Sequence, residues 1–508
     1  MSCSSVARRC MTGAPVVWIA CIVGMTACAG IRPALSTPSP STLAISTPAI
    51  SSSVTRTYYV SPTGDDANPG TFELPWQTVN KAAMTARAGD TVFIRGGKYN
   101  LVERIRVSHS GTPDAWITFK GYPGEFAVID AFDINVGSPG IGMEFPHDDG
   151  AFQIEGVSHI RIENLQVQNS RGAGITVRDS SYVDIIGNYI DNTYSSGISV
   201  WDTNHDALGT AFIRVLSNTV TRANTFAMLP KGYSAETEAP HEAISIGGAT
   251  DFEVAYNHVF NVNKEGIDVK EVSRRGVVHH NLVERAGRQG LYADAWFGDL
   301  EDVTFHHNVV RYCQGAGFAI SVEGGRALRN LRFHHNVLHN NSGTGILFGR
   351  WGGDGPRSNI SIYNNTVHRN GHGPRSHTGY FWITGGLYLY SANLRGVHIY
   401  DNIFSENRGF QIGYSEHWLA IDSNGEQALA ARNIRIERNV IYTTEAVQSP
   451  LRRIGWGPND YADIYIIEGQ NAIRADPLYA DAAAGDFTPR PDSPARIGEK
   501  GYLGAVAP

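Results

Sequence analysis

From Tyr182 onward one phrase returns along the chain: an apolar residue, a gap, another apolar residue, two further places, then Asn, a gap and an apolar residue. The Asn positions mark it most clearly, at Asn188, Asn218, Asn257, Asn281, Asn308, Asn336, Asn365, Asn402 and Asn439. Only Gly276 interrupts the first apolar place. A second phrase precedes most of these Asn residues: Gly-Ile-Thr-Val from Gly174, Gly-Ile-Ser-Val from Gly197, Ala-Ile-Ser-Ile from Ala243, Gly-Ile-Asp-Val from Gly266, Gly-Leu-Tyr-Ala from Gly290, Gly-Phe-Ala-Ile from Gly317 and Gly-Ile-Leu-Phe from Gly345. Both phrases alternate apolar and polar places, the period of a β-strand. Short strands that recur every 24 to 39 residues with turns between them predict an all-β fold, a right-handed parallel β-helix in which each coil stacks on the last. The inward Ile and Val would form one continuous core, and each turn Asn would hydrogen-bond the Asn above and below it.

Both ends of such a solenoid expose strand edges that need covering. Thr78 to Ala88, with Ala82, Ala83 and Ala86, predicts a short capping helix at the start. Residues 476–508, irregular and Pro-rich, predict a closing segment at the other end of a solenoid spanning 56–475. Residues 31–55 are rich in Ser, Thr and Pro and nearly uncharged, as suits a tether within a linker over 30–55. Before it, Arg8 and Arg9 precede an apolar stretch from Val16 to Ala27, the pattern of a signal peptide over 1–29. Met25-Thr26-Ala27-Cys28 is similar to a bacterial lipobox, which would make Cys28 a lipidated residue; cleavage after Ala29 is the alternative. The expectation is a monomer secreted from, or anchored outside, a bacterial cell, touching a membrane only through such an anchor. Cys3, Cys10, Cys21 and Cys28 fall in the leader, leaving Cys313 alone in the body with no internal disulfide to form. The net charge of -7 and 18% charged residues argue against a nucleic-acid partner, which would select a basic surface.

The opening of the body carries a resemblance. Tyr58-Tyr-Val-Ser-Pro-Thr-Gly-Asp-Asp-Ala-Asn-Pro-Gly-Thr71, Pro75-Trp76, Gly89-Asp90-Thr-Val92 and Gly96-Gly97-Lys-Tyr99 resemble the start of secreted β-helix proteins related to family 9 pectate lyases. The resemblance implies a polysaccharide-active protein, and in those lyases calcium held by Asp residues and a Lys acting as base. Their Asp cluster has no motif-for-motif match in this chain.

Aligning the Gly-Ile phrases turns the solenoid into columns, since equivalent positions on adjacent coils lie about 4.8 Å apart. The ionisable residues then gather on three consecutive coils, as Glu242, Glu265, Asp268, Lys270, Glu271 and Asp294. With Ile267 and Val269 inward, Asp268 and Lys270 point outward together. Stacked carboxylates imply a raised pKa, a cationic neighbour or a bound metal. This assigns Glu242, Glu265, Asp268 and Asp294 to a Ca2+ ion, with Lys270 as the base of a β-elimination at a uronic acid and Asp268 beside it. Lys264 to Glu271 also resembles, with different spacing, the Glu-rich strand bearing a catalytic Lys in β-helix chondroitin and alginate lyases. The bland reading is a solvated face on which Lys270 neutralises its acidic neighbours.

An acidic polysaccharide would find His241, Arg288, Tyr292, Trp201, Trp296, Arg350 and Trp351 nearby, the rings for stacking on sugars and the guanidinium groups for carboxylates. The same Trp residues would equally well pin loops to the solenoid. Insertions over Thr221 to Pro240 and Asn370 to Gly385 would wall a groove. Asp65 and Asp66 fit a turn better than a calcium site. The His-His-Asn triplets ending at Asn281, Asn308 and Asn336 invite a metal reading, but His279, His306 and His334 would continue into Tyr363 and Tyr400 as a packed aromatic ladder. Rival functions are a glycoside hydrolase using two carboxylates of the same cluster, and a non-catalytic glycan-binding adhesin.

Overall fold

Each coil spends three short strands and three turns on one circuit, and the circuits stack into three long sheets. The computed structural model describes residues 55–136, 149–230, 241–372, 384–457, 460–497 and 501–506. The leader with Cys28, nearly all of the linker, and most of the insertions over 231–240 and 373–383 lie outside the described residues. The first sheet has 13 strands, from Thr57–Val60 to Arg435–Glu437, and contains the nearer of the two apolar places that precede each Asn. The second, also of 13 strands, holds the Gly-Ile phrases, and the third has 12 short strands. One circuit runs Ile267–Lys270, Arg274–His279, Leu282–Ala286 and back to the second sheet at Leu291–Ala295. The pairings between these coils are parallel, and parallel crossovers are right-handed, so the fold is a right-handed parallel β-helix.

Alternation does what the pattern required. Ile175, Ile198, Ile244, Ile267, Leu291, Phe318, Ile346, Leu387 and Ile412 form one inward row with no exposed surface, continuous with the core of the whole solenoid. At roughly 25 cal/mol per Å² of apolar surface, this stacked core is the main stabilising term for a body that has no disulfide.

The Asn column is a buried ladder. Asn281 Nδ2 donates to Val254 O (2.9 Å) and to Asn308 Oδ1 (2.9 Å), and the latter oxygen also accepts from Asn281 N (3.1 Å). The same set recurs from Asn188 through Asn439. The residue before each Asn is in the left-handed region, including Ser217, Tyr256, His280, His307, His335, Asn364, Asp401 and Arg438. The strain of a non-Gly residue there is offset by the fully bonded Asn that follows. A second amide ladder, not foreseen, turns the third sheet into the second through Asn341, Asn370, Asn407 and Gln411, with Cys313 N donating to Asn341 Oδ1 at its start. Burial pushes the Cys313 thiol up to about 12, so it is an inert part of that turn.

The start is capped as expected by a helix over Val79–Thr85, shorter than the expected run, whose N-cap Thr78 accepts from Lys81 N (3.1 Å) and which buries Val79, Ala82 and Ala83. Asp66 accepts from Gln77 N, Thr78 N and Thr78 Oγ1, and Asp65 from Ala67 N, which makes both turn residues. The other end departs from expectation. Trp418 and the helix Gly425–Ala431, through Ala428 and Leu429, join the core at the last coils. The strands Leu451–Gly457 and Asp460–Ile466 form an antiparallel extension on Ile412–Ser415. Residues 476–497 and 501–506 instead lie along the third sheet: Phe487 and Ala505 pack on Val337, and Ala495 and Leu503 on Ile403 and Val440. Apolar outward residues such as Val337 and Val440 demanded that cover, and the Asn phrase alone did not show which side they faced.

Candidate functional site

The columns drawn from the sequence are the register of the second sheet. Ser199, Ser245, Asp268, Tyr292 and Ala319 are successive partners, as are Arg178, Trp201, Gly247, Lys270, Asp294 and Ser321. What differs is exposure. Asp268 is 1% exposed, Asp294 and Glu271 3%, Glu265 4% and Glu242 6%, so the outer face here is covered and the solvated-face reading is overturned.

Lys270 Nζ lies 3.4 Å from Glu242 Oε1 and 3.9 Å from Glu271 Oε1. Glu242 is also approached by Lys264 (3.9 Å) and accepts from Ser245 Oγ (2.9 Å). Arg288 Nη1 stands 3.7 Å from Glu265. Tyr292 donates its hydroxyl to Glu323, a carboxylate missed in the sequence because it stands one place past the strand Phe318–Val322 and outside its columns. Six acids, Glu242, Glu265, Asp268, Glu271, Asp294 and Glu323, thus face three bases, Lys264, Lys270 and Arg288. Both carboxylate oxygens of Asp268 lack a hydrogen-bond partner, as do Asp294 Oδ1, Glu265 Oε2 and Glu271 Oε2.

The charge states follow. Burial pushes Glu242 up, but Lys270 and Lys264 outweigh it and hold the carboxylate down at about 2. Burial, reinforced by Glu242, lifts Glu265 to about 7 and Asp268 well above the carboxylate range. Asp294 is raised likewise, by burial and then Glu323. Burial alone would lower Lys270, yet Glu242 foremost, with Asp268, Glu271 and Asp294, holds its proton well above the usual lysine value. The strip therefore favours an ammonium at Lys270 paired with ionised Glu242, among acids whose hold on a proton is strengthened, so Lys270 by itself is not the neutral amine expected of a ready base. The four carboxylates assigned to a metal share one strip but form no closed cage: among the described residues, the set of three ligand atoms within 4.8 Å of one another is His279, His280 and His306.

The flanking residues sort differently from expectation. Tyr292 is 5% exposed, in an apolar cluster with Leu347, Tyr388 and Phe410, so it positions Glu323 and offers no ring to a sugar. Arg350 already pairs with Asp354 (3.1 Å) and His417 (2.6 Å) at a side chain that stays one-third exposed. Trp351 meets Tyr292 edge-on (5.7 Å), and Trp296 lies over Gly324, where a Cβ would clash with its ring. Both pin loops to the solenoid. Trp201 covers Gly247 and meets His241 edge-on (4.6 Å), and that pair, half-buried beside Glu242, forms the aromatic wall of the acidic strip.

With this geometry the class of protein is defined as a right-handed parallel β-helix whose second sheet carries a buried acidic strip. A model of the Pel9A-like right-handed β-helix region matches residues 58–236, and one of the right-handed β-helix region matches 237–354. The chain is a β-helix protein related to the family 9 pectate lyases. It is 29% identical over 477 residues to the uncharacterized protein YwoF of Bacillus subtilis (strain 168), covering 86% of this chain and 92% of that one. It is 31% identical over 124 residues to pectate lyase PEL9 of Emericella nidulans, a match spanning 24% of this chain and 30% of that enzyme. The crystal structure of pectate lyase Pel9A superposes with a TM-score of 0.42 at 15% identity, over 68% of this chain and 75% of that one.

Proposed function

We propose that the protein is an extracellular polysaccharide-active enzyme, a calcium-assisted lyase that cleaves a uronate-containing, pectate-like glycan by β-elimination. One observation carries the reading: Asp268 is buried with neither carboxylate oxygen bonded, two residues from Lys270 on the same strand. A buried, unbonded carboxyl is costly, and proteins keep such groups where a ligand completes them. The donors are all oxygens, which suits Ca2+, and Asp268, Glu265, Asp294 and Glu242 are the residues that would hold it. Because they form no cage, they supply part of a coordination sphere, with the uronate carboxylate as the natural complement.

Bound calcium would neutralise the uronate carboxylate and so acidify its C5 proton. Lys270 would take that proton at Nζ while the C4–O bond breaks, a C4–C5 double bond forms and the leaving oxygen takes a proton from water. The amine is released for this role when the acids around it no longer share their charge with it alone. Trp201 and His241 border the strip on the side of Glu242, where a sugar ring would stack.

Purified protein incubated with pectate, alginate and glycosaminoglycans should produce the ultraviolet absorbance of an unsaturated uronate on one of them. Chelator should remove it, added calcium restore it, and Lys270→Ala abolish it without loss of the fold. A second reading draws on the split between Glu242 at about 2 and Glu265 at about 7, one carboxylate ionised beside one protonated, as a glycoside hydrolase requires. New reducing ends without absorbance, indifferent to chelator, would select that enzyme. No product of either kind, with polymer retained on the protein, would make it a binding scaffold.

A further inference from the structure

A second constellation stands on the first sheet, away from the acidic strip. His279 and His280, His306 and His307, and His334 and His335 occupy three successive coils. Within each pair the two Nδ1 atoms face one another at 2.8, 2.9 and 2.8 Å, with the rings nearly perpendicular. Between pairs the rings stack in two columns: His279, His306 and His334 at 4.9 and 5.2 Å, and His280, His307 and His335 at 4.9 and 5.0 Å. The second column exists because each turn residue before the Asn ladder is in the left-handed region, which swings its imidazole back beside its neighbour.

Aromatic stacking accounts for the columns, as Tyr363 and Tyr400 show by extending the first of them. It does not account for nitrogens aimed at nitrogens. Two facing Nδ1 atoms can share only one proton, and at the first pair a carboxylate bears on which ring donates it. Glu253 Oε1 lies 3.0 Å from His279 Nε2, a contact that selects the tautomer with the proton on Nε2 and a lone pair on Nδ1. A carboxylate on the far nitrogen of an imidazole is the outer-shell arrangement that orients histidine ligands.

We propose that His279, His280 and His306 form a binding site for a borderline divalent transition metal of the Cu2+, Ni2+ and Zn2+ group. One nitrogen from each of the three lies within 4.8 Å of the others, on half-buried side chains that solvent reaches. Imidazole nitrogens bind such ions at about 2.0–2.1 Å, so adjacent ligands sit about 3 Å apart, close to the spacing already set within the pair. An all-nitrogen donor set rejects Ca2+ and Mg2+. On binding, the proton between the pair moves from His280 Nδ1 to its Nε2, and both Nδ1 atoms turn to the metal. The ion then ties two consecutive coils together. None of these residues belongs to the acidic strip, so the proposal stands whether or not the lyase reading does.

The test uses full-length protein, stripped with chelator, its thiols alkylated, and titrated with Cu2+ at neutral pH by calorimetry and electron paramagnetic resonance. One equivalent should bind with nitrogen hyperfine structure and raise the melting temperature. H280N, which suits the left-handed backbone there, should abolish this signal, and H306Q should weaken binding at least tenfold. E253Q, at a side chain 38% exposed, should weaken it about tenfold or more with the metal-free melting temperature unchanged. H335Q, at the far end of the ladder, should leave it intact. Binding without nitrogen hyperfine structure, or binding that H280N and H306Q leave unchanged, would overturn the proposal, as would no binding at one equivalent.

Discussion

At the scale of the residue, the acidic strip sets stability against readiness for a cation. Glu265 has a folded pKa of about 7 against an ordinary 4.5, so its contribution to stability is full below about pH 4.5 and is lost as pH rises through 7. In chelator the melting temperature should therefore fall between about pH 4.5 and 7, with an effect on the order of 3 kcal/mol at one unit per 1.36 kcal/mol. Glu265→Gln should flatten that slope, and added calcium should offset it in the parent. Glu242 has the opposite sign: its low folded pKa gives stability above pH 4.5 that disappears as pH falls toward 2. Asp268→Asn should melt higher than the parent without calcium and lose turnover; a variant that melts lower would show that Asp268 is bonded in solution. The sequence made these residues legible as a group because the Gly-Ile phrase fixes register and register fixes neighbours. It could not show how deeply they are buried, because strand parity gives the face a side chain takes and not its exposure, nor Glu323, which lies past the phrase.

At the scale of the element, the ladders carry the fold. Asn281→Ala would remove the side-chain donor to Val254 O and Asn308 Oδ1 and the acceptor of Asn257 N and Nδ2, all buried. Unfolding in denaturant should show a loss of about 2–4 kcal/mol, from two or more buried groups at about 1–3 kcal/mol each. Asn424, whose side chain accepts from Glu426 N and Gln427 N at the start of the terminal helix, should cost only about 1 kcal/mol when changed to Ala. The first ladder was legible because its Asn stands at a fixed place in a repeating phrase. The second was not, since Cys313, Asn341, Asn370, Asn407 and Gln411 follow strands of only three residues with little alternation to mark them.

At the scale of the whole molecule, the segment 476–506 matters most. Removing it would uncover Val337, Ile403 and Val440 along the third sheet, so a truncation at 475 should bind an apolar dye and aggregate at concentrations the parent tolerates. Light scattering and dye fluorescence would report it. The ladder has a different consequence. Asn281 and Asn308 are 27 residues apart and do the same thing one rung apart, so the chain is close to a translational lattice wrapped around an axis. Excising one period would act like removing a single plane from a crystal: the faces on either side already match, and the lattice would close one rung shorter. Every column would survive, with its upper part shifted by one place. A gene coding for such a chain can thus lengthen, shorten or re-pair its outward chemistry by whole periods, and the acids now beside Lys270 are one alignment among those its lattice allows.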